Sequence, residues 1–458
     1  MHEINPTIES IKRQRGAILA RRETPLAATE ALSRIRRVVV INSSSRSGSS
    51  LLYALLGKLP HVLALTGEAS PFYKLNSFPN CFNPHDSERI PSELLDRAID
   101  FAGLARDLRA DIYCAETATS CREIDVGGYC DDLMLRFLLQ WTDIDADSAE
   151  LRLIITATFD NYAASHEIFN TEEFYLELLD GLCRRWPQIN PFYYDIGTDR
   201  VALRFPSTEI PCGPPVDDFT IEEPPFILLH PRKRADNDDL STKTLLLKST
   251  VDCYRMNLVE RLLPQAEIRI IHLVRNPAAT INGIFDGWHH RGFFSHNLAR
   301  CFGSHPHPGK LEIKGYSDLY PFGNVWWNFD LPKGWQEFAK RELVDVCAFQ
   351  WLSANAEILD NLAASRQSCC TVHFEDIIRS TASRKDQFAR ILDFMEISAA
   401  EADQLGLDNL PVVQSTLPPQ LYRWKKRQDI IARLLDAPQI LEMSERLGYY
   451  RHSMESWL

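Results

Sequence analysis

Nowhere does the chain offer the ~20 consecutive apolar residues that a membrane-crossing helix needs, so no membrane span is expected. Near its start, Glu3, Glu9, Lys12, Arg13 and Arg15 break up the apolar stretch on which a secretory signal depends, which points to the cytoplasm. A basic excess is also missing. Lys and Arg number 50 against 62 Asp and Glu, a formal net charge of -12, whereas a protein that coats nucleic acid carries the opposite balance. Any anion site must therefore be local, and no nucleic-acid partner is expected. The 11 cysteines form no metal-type C-x-x-C pair and have no regular spacing. That favours reduced thiols, with Cys369 and Cys370 buried rather than bridged. Internal repeats and low-complexity tracts are absent as well.

Apolar material is plentiful. At 458 residues and 45% hydrophobic content, the chain can bury a large core, as two domains or as one enlarged α/β domain. After a helix-compatible stretch over residues 1–34, Val38, Val39, Val40 and Ile41 read as a buried parallel strand, and residues 51–56 as the helix packed on it. A second unit runs from a strand over 244–247, through a helix over 256–263, to a strand over 268–274. Such alternation implies a parallel sheet with right-handed crossovers. About 165 residues, roughly 76 to 240, separate the two units. That is too long for a loop and reads as a mainly helical insertion laid over the sheet. Residues 286–340, rich in Gly, His, Pro and aromatics, read as a long ordered loop region.

Between the first strand and its helix lies Ser43-Ser44-Ser45-Arg46-Ser47-Gly48-Ser49-Ser50. Backbone N–H groups and the positive helix end are free there to receive an anion, with serine hydroxyls and Arg46 adding donors and charge. A nucleoside-triphosphate loop of the form G-x-x-x-x-G-K-[ST] is disfavoured, because Gly48 is followed by Ser49 and no glycine stands five places earlier. The plainer alternative is a serine-rich turn that caps its helix.

The loop resembles the 5′-phosphosulfate loop of PAPS-dependent sulfotransferases. Leu273-Val274-Arg275-Asn276-Pro277 resembles that family's strand ending in L-V-R-[DN]-P, whose arginine binds the 3′-phosphate of the donor. The family's serine eight positions further on is Gly283 here, a departure for which Asn282 and Thr280 are the candidate donors. Val372-His373-Phe374-Glu375-Asp376-Ile377 is similar to a late family strand, and Arg423-Trp424-Lys425-Lys426 to a Trp-basic stretch near the donor. The resemblance covers residues 36–75 and about 240–458 but not the insertion. It implies an α/β, P-loop-like fold with a central parallel β-sheet flanked by helices. The implied divisions are 1–34 (helical extension), 35–75 (first half of the core), 76–240 (insertion and acceptor lid) and 241–458 (second half). It also implies donor contacts from Ser45, Arg46, Ser47, Gly48, Ser49, Ser50, Arg275, Asn282, Trp424 and Lys425.

Sulfonate transfer needs an in-line geometry, a base for the acceptor proton and positive charge on the oxygens between sulfur and phosphate. No metal is needed for that. Arg46 and Lys248 are the expected cations. Cytosolic members use a histidine two residues after the corresponding lysine, where this chain has Thr250, whose hydroxyl cannot serve as the base. Glycan and several bacterial members instead carry a glutamate about 22 residues after the loop's basic residue, which falls on Glu68. Chain direction supports Glu68 independently, since residues 62–65 can return as a second strand ending at it. His289, His290, His296, His305 and His307 with Cys301 offer competitors. Their spacing fits no common zinc pattern, and His289 and His290 are expected at the acceptor mouth. The carboxylates Asp217, Asp218, Glu222 and Glu223 read as solvated. A phosphotransferase and a non-catalytic nucleotide-binding protein are the other readings, and the acceptor is expected to be a small molecule.

Overall fold

A computed structural model describes residues 6–77, 87–299, 302, 309–417 and 419–458. Its centre is a seven-stranded sheet in the order β4-β3-β2-β5-β1-β6-β9. The strands are β1 (Arg37–Asn42), β2 (Val62–Leu65), β3 (Ile112–Thr117), β4 (Arg232–Arg234), β5 (Thr244–Lys248), β6 (Glu267–Val274) and β9 (Ser368–His373). The strands β2, β5, β1, β6 and β9 run parallel. Because β1, β2 and β5 are buried along nearly their whole length, they are continuous Val, Leu and Ile runs with no polar alternation.

The insertion is more than a helical lid. It contributes β3 and β4, which pair antiparallel at one edge of the sheet, besides helices such as Val126–Gln140, Ser148–Ser165 and Thr171–Arg185. The region read as loop carries a small antiparallel hairpin, β7 (Phe294–Asn297) with β8 (Trp326–Asn328). Its packing uses buried Trp288, Trp327 and Trp335, so these tryptophans are core. Residues 1–5 and the calls on Cys301, His305 and His307 lie outside the described residues.

The cysteine expectation needs one correction. Described cysteines carry free thiols, but Cys369 is exposed while Cys370 is buried. Successive residues of a strand face opposite sides, and β9 is the sheet's edge. No helix among the described residues is long and apolar enough to cross a membrane.

Register decides what meets at the carboxyl edge. Ile41 is level with Lys248 on one side and Ile271 on the other, and Val274 is level with His373. The loop after β1, Lys248 at the end of β5, Arg275 after β6 and Phe374 after β9 therefore emerge side by side. β1 lies between β5 and β6, so the chain leaves it in one direction and returns on the other. Open α/β sheets bind ligands at such a crevice.

Candidate active site

Where these strands end, a cavity of about 500 Å³ is lined by Arg46, Gly48, Ser49, Ser50, Glu68, Lys248, Arg275 and Asn282. The loop after β1 is shaped by left-handed backbone at Arg46 (φ 64°) and Gly48 (φ 96°). Gly48 caps the helix Ser49–Leu56, and a Cβ there would stand 2.2 Å from Phe374 Cε2, so glycine alone fits. Ser45 and Ser47 turn inward instead of lining the cavity. Ser45 Oγ donates to Asp330 Oδ1 (3.1 Å), and Ser47 Oγ lies 2.8 Å from Ser44 Oγ. Their role is to hold the loop.

Three arginines crowd one end. Burial first, then Arg275 and Arg423, bring the Arg46 guanidinium down to about 10. Arg275 is lowered chiefly by burial, with Arg423 adding repulsion and Glu375 opposing it. Arg275 Nη1 donates to the carbonyl of Arg46 (3.1 Å), its plane lies over the Phe374 ring (4.9 Å), and its buried Nε has no partner. Glu375 explains the F-E-D pattern: its Oε1 accepts from both the backbone and the side chain of Asn276, and its Oε2 from Tyr449. That carboxylate locks the end of β6 so that Arg275 faces the crevice.

On the same cavity Glu68 forms an ion pair with the buried Lys248, which also donates to Ser50 Oγ (2.9 Å). Ser70 Oγ donates to Glu68 Oε2 (3.3 Å). Glu68 is about a quarter exposed, toward the cavity. Next to it, Asp252 is fully buried in the short turn Asp252–Tyr254, and burial, then Glu68, push its carboxyl up to about 7. A carboxyl whose pKa rises on folding stabilises fully below its unfolded value near 4, and that stabilisation is lost as pH climbs through 7. Asp252→Asn should therefore gain melting temperature relative to the parent between pH 5 and pH 8. An equal difference at both pH values would refute this.

Several expected residues are engaged by other groups or lie off the cavity wall. The Asn282 side chain is already engaged, accepting from Arg427 and donating to Asp286 (3.3 Å). Thr280 Oγ1 donates back to the carbonyl of Asn276 (3.0 Å), away from the cavity wall. At Gly283 an added Cβ would approach Arg46 Cβ to 3.1 Å, so the Arg46 side chain crowds the place of the family's serine. Trp424 reaches the cavity but is anchored, its indole donating to the carbonyl of Trp457 (3.1 Å). Lys425 turns away, over Tyr422 (4.6 Å) and toward Glu455 (3.6 Å). Its neighbour Arg423 lines the cavity instead, held by Asp286 (3.1 Å). His289 and His290 are not on the wall. His289 Nδ1 lies 3.1 Å from the Tyr320 hydroxyl, and burial, then Arg291 and Arg46, bring His290 down to about 4. His296 pairs with buried Glu88 (2.8 Å). Among the described residues no group of three or more His, Cys, Asp or Glu could hold a metal ion.

Glu222 is buried, Glu223 is about a quarter exposed, and both are paired. Glu222 pairs with Arg136 (2.9 Å) and Glu223 with Lys74 (2.8 Å). Gln414 was invisible in the sequence: its carbonyl accepts from Arg46 Nη1 (3.1 Å) and its side-chain oxygen from Ser50 (2.8 Å). No sequence signal marks it, because it arrives on an irregular segment folded back from far along the chain.

No protein-family model and no curated protein matches this chain. Among solved structures it is similar to the sulfotransferase domain of the olefin synthase of Synechococcus PCC 7002, at 14% identity, covering 91% of this chain and 95% of that one, with a TM-score of 0.32. It is also similar to sulfotransferase STF1 of Mycobacterium tuberculosis H37Rv (11% identity, 86% and 76% covered, TM-score 0.28). A third is sulfotransferase STF9 of Mycobacterium avium (14% identity, 88% and 76% covered, TM-score 0.30). Likenesses this distant carry no weight for activity, which has to be read from the site itself.

Proposed function

We propose that this chain is a PAPS-dependent sulfotransferase that moves a sulfonate group onto a hydroxyl of a small acceptor. One observation carries the reading. Three mutually repelling arginines, Arg46, Arg275 and Arg423, line the same cavity as the Glu68–Lys248 pair. Crowded, half-buried cations are relieved by a polyanion, and the paired carboxylate on the same cavity supplies a base.

In this proposal the N–H groups at the start of the helix Ser49–Leu56 and Arg46 receive the 5′ end of the donor, whose oxygens replace those of Gln414. Arg275 and Arg423 receive the 3′-phosphate. Lys248 turns from Glu68 to the oxygens between sulfur and phosphorus, where charge develops as that S–O bond breaks. Glu68 takes the acceptor proton as the new S–O bond forms, and the products are PAP, the sulfate ester and a proton. Fixed cations meet the charge, which leaves no task for a metal.

The test is thermal stabilisation by PAP against ATP with magnesium at matched concentrations. PAP at a hundredfold excess over its Kd should add about 2.7 kcal/mol, with a much smaller response to ATP. A larger response to ATP than to PAP would overturn the proposal in favour of phosphoryl transfer.

A further inference from the structure

After β8 the chain bends at Phe329, whose φ of 61° is left-handed and whose ring lines the cavity, stacked on Phe293 (4.9 Å). Asp330, the next residue, is 1% exposed and off the cavity wall. Its carbonyl accepts from the Gln350 amide (2.7 Å) and the Trp327 indole (2.9 Å), which fix its backbone. Its carboxyl faces two hydroxyls. Ser45 of the loop after β1 donates to Oδ1 (3.1 Å), and Tyr254, in the turn that follows Lys248 and β5, donates to Oδ2 (2.7 Å). One side chain thus ties the loop carrying Arg46 to the strand end carrying Lys248.

Among the described residues no Lys, Arg or His pairs with this carboxyl, and burial pushes it up to about 7, with the Tyr254 and Ser45 hydroxyls opposing. Its neighbours do not neutralise it. Burial holds Tyr254 and Cys253 well above their usual values, so both stay protonated. Glu88, whose amide donates to the carbonyl of Leu331 (2.9 Å), has its own counter-charges in Arg255 and His296. In the proposed function the donor brings an anion onto the loop that Ser45 belongs to, and a like charge so near favours the neutral acid further. Protonation leaves the clamp in place. A hydroxyl both donates and accepts, so Ser45 can turn to accept from the acid without moving the loop.

We infer that Asp330 is a positioning residue that holds the donor loop against the end of β5, and that it takes up a proton from solvent when the anionic donor binds. This rests on the sulfotransferase reading and adds to it a pH dependence of donor capture. The sign follows from which state is neutral. Donor affinity is full below the carboxyl's pKa in the free protein and falls as pH rises from that value to the higher one of the bound state.

The test is calorimetric titration of PAP into the parent and Asp330→Asn at pH 6 and pH 8, each in two buffers of different ionisation enthalpy, which reads affinity and protons together. Asparagine mimics the neutral acid, accepting from one hydroxyl and donating to the other. Asp252, also near 7, and the phosphates of PAP are common to both proteins and cancel in the comparison. At pH 6 the two affinities should agree within about twofold. At pH 8 Asp330→Asn should bind PAP about three- to tenfold more tightly, as a rise of about one pH unit on binding requires, and the parent should take up more protons. A merely structural Asp330 gives one ratio at both pH values, and that result overturns the inference. Should Asp330→Asn fail to fold, Tyr254→Phe decides. Losing that hydroxyl favours the acid before binding, so proton uptake at pH 7 should fall by about half or more, and unchanged uptake overturns the inference. If the parent does not bind PAP, the sulfotransferase reading fails and the comparison is made with ATP, because the linkage needs only an anion on the loop. Binding of neither overturns the inference as well.

Discussion

Glu68→Gln should lower turnover by about 10²- to 10⁴-fold, the usual loss when a general base is removed, while PAP affinity stays within a few-fold of the parent. The amide keeps the volume of the side chain but cannot take the acceptor's proton. In the proposed function the donor is gripped elsewhere, by Arg46, Arg275 and the loop after β1. Losing the carboxylate also frees the buried Lys248 from its ion pair, so donor affinity can even rise. Steady-state rates beside a PAP titration check both halves. The rival base is His290, held near 4 by burial and two arginines, which makes it a weak proton acceptor at neutral pH. If Glu68→Gln kept most of its activity and His290→Asn lost it, the assignment of the base would be wrong.

Arg275→Ala should weaken PAP binding by about 10- to 100-fold, the equivalent of one or two charge-assisted hydrogen bonds. The residue is preorganised twice over, by the carbonyl of Arg46 and by the face of Phe374. Its buried Nε has no hydrogen-bond partner. Lysine should not restore affinity, because a point charge lacks the planar fork that fits this slot. Calorimetric titration of PAP reads the effect, and affinity within twofold of the parent would remove Arg275 from the donor site.

The positions of both residues at the sheet's carboxyl edge were legible in the sequence. Short-range chemistry speaks through short motifs: a β-branched run, a serine-rich turn with one glycine at its end, and an arginine following a second buried run. Each such segment forms its own strand end, so the sheet's carboxyl edge and the loop on it follow from local pattern. Glu68 was reached by counting along the chain and by the direction in which a helix must carry it, and the structure brings it to Lys248.

What the sequence alone determined is therefore the set of strand ends: that β1, β5 and β6 are buried parallel strands and that Arg46, Lys248 and Arg275 stand at their ends. Only the tertiary structure decided which side chains complete the cavity. Lys425 and Arg423 lie two residues apart in one basic stretch, and the winding of a single short turn sends Arg423 inward and Lys425 out. Glu222 and Glu223 looked like solvated acids because Arg136 and Lys74, their partners, are distant in sequence. Gln414, Phe293 and Phe329 carry no motif at all. Their positions depend on contacts between remote segments, and a sequence records those only as residues of suitable size and polarity, never as pairs.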